Sequence, residues 1–216
     1  MAAAQHGRYR DIAGHAMNKA RFEAFSDGVF AFAITLLILG VALPAFKTAP
    51  GESALRDALL ALWPNVLAYA LSFAVIGIMW QNHHALFRMI ERVDRTTIFL
   101  NLLLLAGTVF IPFATSVLGT YPAMHTSTFL YGVVLTYCST VYNLMLAHLI
   151  RSRAFRTDIS PETVRGTLNA YRTGWTTYVA ATLIALVAPL VSFAAYIFVT
   201  LYYLIPHGVD RDLGTP

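Results

Sequence analysis

Charge is scarce in this sequence: Asp, Glu, Lys and Arg make up only 12% of its 216 residues, about half the share of an ordinary soluble domain. Cysteine is scarcer still, with Cys138 standing alone inside an apolar run. A single thiol excludes an intrachain disulfide framework and any zinc site built on cysteines. The opening stretch MAAAQHGRYRDIAGHAMNK lacks an apolar core, so it is not read as a secretory signal peptide but as a polar cytoplasmic tail. The net charge of +4 calls for no nucleic-acid partner, because membrane topology accounts for where the basic residues fall.

Apolar residues are what the chain has in abundance. They make up 57% of it and gather into runs long enough to cross lipid. These runs extend from about Phe22 to Pro44, Trp63 to Asn82, Thr96 to Leu118 and Thr128 to Ile150, with a last block from Gly174 to Ile205. As one straight helix the last block would measure about 48 Å, against a hydrocarbon core of about 30 Å. Pro189 followed by Ser192 offers a break into two short spans, the fifth helix then starting near Glu162 with Ser160 as N-cap and Pro161 at its first position. Six spans are therefore expected, all helical, because lipid offers no partner to an open backbone. With six spans, every Lys and Arg except Lys47 and Arg56 falls on one side. Basic residues are retained in the cytoplasm, which places both termini there. The expected organisation is a tail at 1–19, a transmembrane domain at 20–206 and a second tail at 207–216.

The first run carries the chemistry. It begins Arg21-Phe22-Glu23-Ala24-Phe25-Ser26-Asp27-Gly28 and continues VFAFAITLLILGVALP. An ionisable cluster leading into a membrane helix is costly unless paired or hydrated. Arg21, Glu23 and Asp27 are either interfacial residues reaching for headgroups, or a network in which Asp27, a turn deeper, holds a structural or ion-pathway role. At about 100° per residue, Arg21, Phe25, Gly28, Phe32, Thr35 and Leu39 fall within about 40° of one line. Asp27, Ala31, Ile34 and Ile38 lie about 120° away, a second face that would carry the acid toward a neighbouring helix. A second polar cluster, Trp80, His83, His84 and Phe87, repeats at helical spacing near the cytoplasmic end of the second run, at the depth expected of Asn101. Either the histidines are interfacial and hydrated, or one of them, with Trp80 and Asn101, hydrogen-bonds the Ser26/Asp27 end of the first helix.

The run from Arg21 through Phe25-Ser26-Asp27, together with WQNHHALF after the second span and NLLLLAGTVFIPFAT in the third, resembles the endosomal and lysosomal potassium channel family, the transmembrane protein 175 family, in its prokaryotic single-repeat form. The likeness covers nearly the whole chain. It implies an all-α integral membrane fold, a homotetramer whose first helices line a central pore, and a weakly selective, leak-like potassium permeability. In that family no carbonyl selectivity filter is present, and no TVGYG-like segment occurs here. Carried over by resemblance, Phe32 takes the place of the hydrophobic constriction, Thr35 supplies a hydroxyl layer one turn outward where potassium would dwell transiently, and Leu36 and Leu39 continue the lining. Phe32 departs from the aliphatic residue usual at that point. The resemblance also assigns Arg21, Phe25, Ser26, Asp27, Trp80, His83, His84 and Asn101 to a network that holds the pore helix in place.

The partners implied are further copies of the chain, membrane lipids and monovalent cations. Location in the cell membrane is expected, and no cofactor is expected beside potassium as the permeant species. Two other classes compete. A secondary transporter would show an internal repeat and midplane binding groups, and residues 1–110 and 111–216 show no convincing repeat. A metalloenzyme would need His83, His84 and Glu91 as ligands, yet adjacent histidines point about 100° apart on a helix. A proton leak is a variation on the channel, since His83 or His84 could titrate near neutral pH.

Overall fold

The structure, a computed structural model, describes the backbone of residues 2–204 and the side chains from Lys19 onward. Seven α-helices follow in order: α1 (Ala2–Leu36), which tightens into a 3-10 turn (Leu37–Gly40), α2 (Glu52–Ala61), α3 (Trp63–Met89), α4 (Arg95–Thr120), α5 (His125–Arg151), α6 (Pro161–Ile184) and α7 (Pro189–Leu204). The segment read from sequence as a polar tail is helical backbone continuous with α1. The C-terminal tail at 207–216, with Arg211, lies outside the described residues.

Four helical stretches are long and apolar enough to cross a membrane: Lys19–Gly40, Trp63–Met89, Arg95–Thr120 and His125–Arg151. The last block divides as the proline suggested. α6 starts on Pro161 behind Ser160, whose hydroxyl accepts the Thr163 N–H at 3.1 Å, and α7 starts on Pro189 itself. Ser192 does not mark the break; its hydroxyl donates to the Ala181 carbonyl at 2.6 Å and staples α7 to α6. α7 is apolar but has only 16 residues, about 24 Å of helix. α6 is polar in its first half, with Arg165, Asn169 and Arg172. These two helices therefore differ in kind from the four long spans.

α4 is the hub of the fold. It packs on α1, α3 and α5; α6 lies against α5, and α7 against α3, α5 and α6. Close approach here rests on glycine. A Cβ at Gly107 would meet the Cys138 Sγ and the Tyr137 ring at 2.7 Å, so α4 and α5 touch backbone to side chain. A Cβ at Gly132 would collide with the Tyr196 and Thr182 hydroxyls. Buried polar side chains in this core are paired: Ser72, Tyr131 and Thr115 join α3, α5 and α4 through bonds of 2.9 and 2.7 Å. Tyr142 Oη donates to the Met79 carbonyl.

The sequence reading did not foresee α2. None of its residues is buried, and it lies between the first two long spans on the side that carries Lys47 and Arg56. On the opposite side two connections pair as a short antiparallel bridge, Ile90 with Phe155. There Glu91 N–H donates to Ala154 O at 2.8 Å, and Arg156 N–H donates to Met89 O at 3.0 Å.

Two glycine substitutions should move stability in opposite directions. Gly132→Val, forced against Tyr196 and Thr182, should cost about 1–3 kcal/mol, whereas Gly166→Ala, with nothing within 4 Å of the added Cβ, should gain about 0.5–1 kcal/mol as a helix-interior glycine is removed. Thermal unfolding of the purified protein in detergent, followed by loss of monodispersity, reads both.

Candidate functional site

Ser26 anchors the site. Its side chain is completely buried, and in a helix flanked by apolar residues its hydroxyl needs partners from the protein. It donates to the Phe22 carbonyl one turn back at 3.0 Å. That commits its only hydrogen, so toward α4 it acts as acceptor, taking the Asn101 Nδ2–H at 2.9 Å. Asn101, also fully buried, thereby turns its Oδ1 toward α3, where His83 Nε2 lies at 2.8 Å. An amide oxygen only accepts, so His83 donates and its Nε2 carries the proton. The directions follow from one another along α1, α4 and α3.

Aromatic rings close the chain off. His83 stacks on Phe87 with centroids 4.3 Å apart and meets Phe30 edge-on at 5.4 Å, while Phe22 lies 5.4 Å from Phe87. Phe22 and Phe30 belong to α1 and Phe87 to α3, so aromatic packing and polar bonding join the same pair of helices. Beside this chain of bonds, at the protein surface, Trp80 Nε1 donates to Asp27 Oδ1 at 2.9 Å.

The sequence-predicted residues thus separate into two groups. Ser26, Asp27, Trp80, His83 and Asn101 come together, but His83 reaches Ser26 through Asn101, and among the described residues Asp27 is bonded by Trp80 rather than by a histidine. The hydrogen-bonded cluster does not include Arg21, Phe25 or His84. Arg21 and Phe25 are exposed on the opposite side of α1, as their helical phase requires, and His84 is exposed, with its ring stacked 6.1 Å from Trp80. Among the described residues no group of three or more His, Cys, Asp or Glu side chains could hold a metal ion.

The buried stripe of α1 is Ser26, Phe30, Ala33 and Leu37, and Asp27 sits at its flank. The face named from the sequence as opposing the pore line, through Asp27, Ala31, Ile34 and Ile38, is only partly covered: Ala31 and Ile38 are exposed. The line through Phe25, Gly28, Phe32, Thr35 and Leu39 is bare along its length, with Phe32 60% and Leu39 72% accessible. Leu36 is half-buried. Thr35 Oγ1 donates to the Phe32 carbonyl at 2.8 Å, which turns its hydrogen inward and leaves oxygen lone pairs facing out.

A feature the sequence reading missed lies at the same end of the molecule. Asp94 is the N-cap of α4, accepting from the Thr97 N–H at 2.8 Å and the Thr97 hydroxyl at 2.7 Å. His148 at the end of α5 approaches the same carboxylate at 2.8 Å and 3.1 Å. Partial burial would raise the Asp94 pKa, but the Thr97 and His148 bonds outweigh it and lower the value to about 2. The motif Asp94-x-x-Thr97 ahead of an apolar run was the available signal. Lys19 adds a further tie, with its ammonium donating to the Ile90 carbonyl at 2.7 Å and pairing with Glu23 at 3.7 Å.

Comparison with known proteins places this geometry. The sequence model of the family described as endosomal/lysosomal potassium channel TMEM175 matches residues 21–112, the segment that supplies every member of the buried chain. A protein named as a potassium channel in Streptomyces collinus is 39% identical over 193 residues, covering 87% of this chain and 92% of that one. The chain belongs to the TMEM175 family. A family member from Chamaesiphon minutus, named as a potassium channel, is 33% identical over 192 residues, covering 85% of this chain and 92% of that one. The crystal structure of a lysosomal potassium-selective channel TMEM175 homolog from Chamaesiphon minutus superposes with a TM-score of 0.78 at 32% identity, over 88% of this chain and 97% of that one. The mouse relative, named as an endosomal/lysosomal proton channel, is 41% identical over 103 residues, 45% of this chain and 21% of its own length. This chain is accordingly an all-helical membrane protein with a TMEM175-type fold, in a family of ion channels rather than enzymes.

Two substitutions test the site. Asn101→Leu strands the His83 donor and the Ser26 acceptor at once, and should cost about 1–3 kcal/mol, read as a fall in detergent melting temperature; Ser26→Ala, which removes one partner of the amide, should cost less. For Asp94 the lowered folded pKa fixes the sign: its contribution is complete above the ordinary value of 3.8 and is lost as pH falls toward about 2. Asp94→Asn should therefore flatten the acid limb of a melting-temperature-against-pH curve in that window.

Proposed function

We propose that this chain is one subunit of a homotetrameric, potassium-permeable channel with a pore lined by α1. The observation that carries the reading is the division of α1 into one face held by the Ser26–Asn101–His83 chain and one face left bare. A helix fixed on one side and uncovered on the other is free to pack its bare side against further copies of itself. Four such helices around a shared axis would give Phe32, Thr35 and Leu39 a counterpart. The names of the Streptomyces and Chamaesiphon relatives as potassium channels support the choice of ion.

In this arrangement Phe32 forms an apolar constriction that a hydrated cation passes only by disturbing its shell, and potassium gives up water more readily than sodium. Thr35, one turn outward, presents oxygen without a hydrogen and so replaces part of that shell. Leu36 and Leu39 continue the wall. Selectivity of this kind is modest, because no cage of carbonyls surrounds the ion. Arg21 and Phe25 stand at the mouth, on the arginine-rich side, which the distribution of basic residues assigns to the cytoplasm together with both termini. The apolar half of α6 and the short α7 complete six spans in the cell membrane. A proton-conducting form of the same channel is the second reading, favoured by the name of the mouse relative.

Purified full-length chain in liposomes decides between these. The expected result is faster potassium than sodium flux, a several-fold larger flux for Phe32→Ala, and a reduced preference for potassium in Thr35→Ala. Unchanged conductance and selectivity in Phe32→Ala, or no monovalent cation flux at all, would overturn the pore assignment. Acidification of the lumen by protons alone would favour the second reading. Asp27→Asn, which replaces the acceptor of Trp80 at the edge of the cluster, should lower the yield of assembled tetramer more than it alters ion preference, as measured by size-exclusion chromatography with light scattering.

A further inference from the structure

Several exposed arginines, among them Arg88, Arg92, Arg95 and Arg151, have no side-chain partner among the described residues, and Arg172 stands out from them by the groove it lines. Arg156 pairs with Asp158 at 2.9 Å, and Arg165 reaches the Pro161 carbonyl at 3.5 Å. Among the described residues Arg172 has no hydrogen-bond or ion-pair partner. It is exposed, and with Arg165, Asn169 and Thr176 it makes one exposed stripe along α6 at helical spacing. It also lines a groove of about 390 Å³ between α5 and α6, together with Thr140, Asn143, Leu144, Trp175 and Thr176.

The other polar groups in that groove already have partners. Thr140 Oγ1 donates to the Thr136 carbonyl at 2.7 Å and accepts the Trp175 indole N–H at 2.8 Å. Asn143 Nδ2 donates to the carbonyls of Ser139 and Tyr171 at 2.9 and 3.1 Å. The Thr176 hydroxyl donates to Thr173 O at 2.9 Å. No Asp or Glu lines the groove. The donors left over are those of the Arg172 guanidinium, which stands beside an otherwise apolar groove, a pairing that suits an anionic headgroup carrying an acyl chain.

Depth narrows the choice. Tyr171, next to Arg172, donates through its hydroxyl to the Asn82 carbonyl at 3.3 Å, which levels it with the residue before His83. Apolar sequence begins at Gly174, and Trp175 stands at that boundary, as tryptophan does at membrane interfaces. Arg172 therefore sits at headgroup depth on the arginine-rich side, with exposed Leu144 and the Trp175 ring beside it. The groove is also remote from the bare face of α1, which packs on α3 and α4 and makes no extensive contact with α5 or α6 among the described residues.

We propose that the α5–α6 groove is a binding site for an anionic phospholipid, its phosphate held by the Arg172 fork and an acyl chain lying along Leu144 and Trp175. This goes beyond the channel reading and does not depend on it. Native mass spectrometry of the purified full chain, with added phosphatidylglycerol or phosphatidylcholine of the same chain length, tests it. Phosphatidylglycerol should be retained over phosphatidylcholine, and Arg172→Gln should weaken that retention about fivefold, the contribution of one basic residue at a charged surface. Arg56→Gln, on the other side of the membrane, should leave it unchanged. Leu144→Trp, which fills the groove and keeps the charge, should reduce retention of both lipids. Excess inorganic phosphate should not compete.

Four results would overturn the assignment: no preference for the anionic lipid in the unaltered chain, full preference in Arg172→Gln, displacement by phosphate alone, or loss of oligomeric state in Arg172→Gln without added lipid. The last would mean that the guanidinium holds a neighbouring subunit. Should Arg172→Gln fail to fold, Leu144→Trp and Arg172→Lys carry the test. Lysine keeps the charge but not the planar fork, so it should retain the preference at lower strength.

Discussion

A hydroxyl surrounded by hydrocarbon cannot turn to water for help. Ser26 has that problem inside a membrane helix, and it is solved by passing hydrogen bonds sideways, first to Asn101 on α4 and then to His83 on α3. The solution restricts all three helices at once. Asn101 must present its amide hydrogen to one neighbour and its oxygen to the other, His83 must hold its proton on Nε2, and the rings of Phe22, Phe30 and Phe87 must keep solvent away. Because each group's role follows from the one before, a single rotation of α1 satisfies the chain. The register of that helix, and with it the direction in which Phe32 and Thr35 face, follows from three polar side chains.

That same register leaves one side of α1 uncovered. Soluble proteins seldom bare several large apolar residues in a row without a purpose; in lipid such a row is unremarkable by itself, and exposure alone carries little weight. What distinguishes α1 is that it is the least buried of the four long spans while still being pinned by buried polar bonds. Among the described residues its aromatic and polar contacts are gathered on one side. Gly28, with nothing near its Cβ position, keeps the bare side low in the turn that precedes Phe32.

Much of this was legible in the sequence, for reasons that can be named. Long apolar runs announce spans because lipid tolerates little else, and Ser160-Pro161 and Pro189 announce helix starts because they suit unfilled N–H positions. The bare line of α1 follows from a spacing of about 100° per residue alone. Its buried stripe was harder to see, since Ser26 counts as polar in any hydropathy pattern although it is fully enclosed. Which of two adjacent histidines points inward depends on the rotation of α3 against α4, a tertiary quantity. The same holds for His148 meeting Asp94 across 54 residues. α2 escaped notice because its ten residues mix charge and leucine in a window too short for a span.

The antiparallel bridge between Ile90 and Phe155 bears on how the chain comes into being. The helices that share Ser26, His83 and Asn101 are all complete once Thr120 has been synthesised, so their polar chain can close while the remainder is still on the ribosome. The connection after α3 must wait, because its backbone partners, Ala154 and Arg156, arrive only after α5. Before then, Lys19, whose ammonium donates to the Ile90 carbonyl, is what ties that connection to α1.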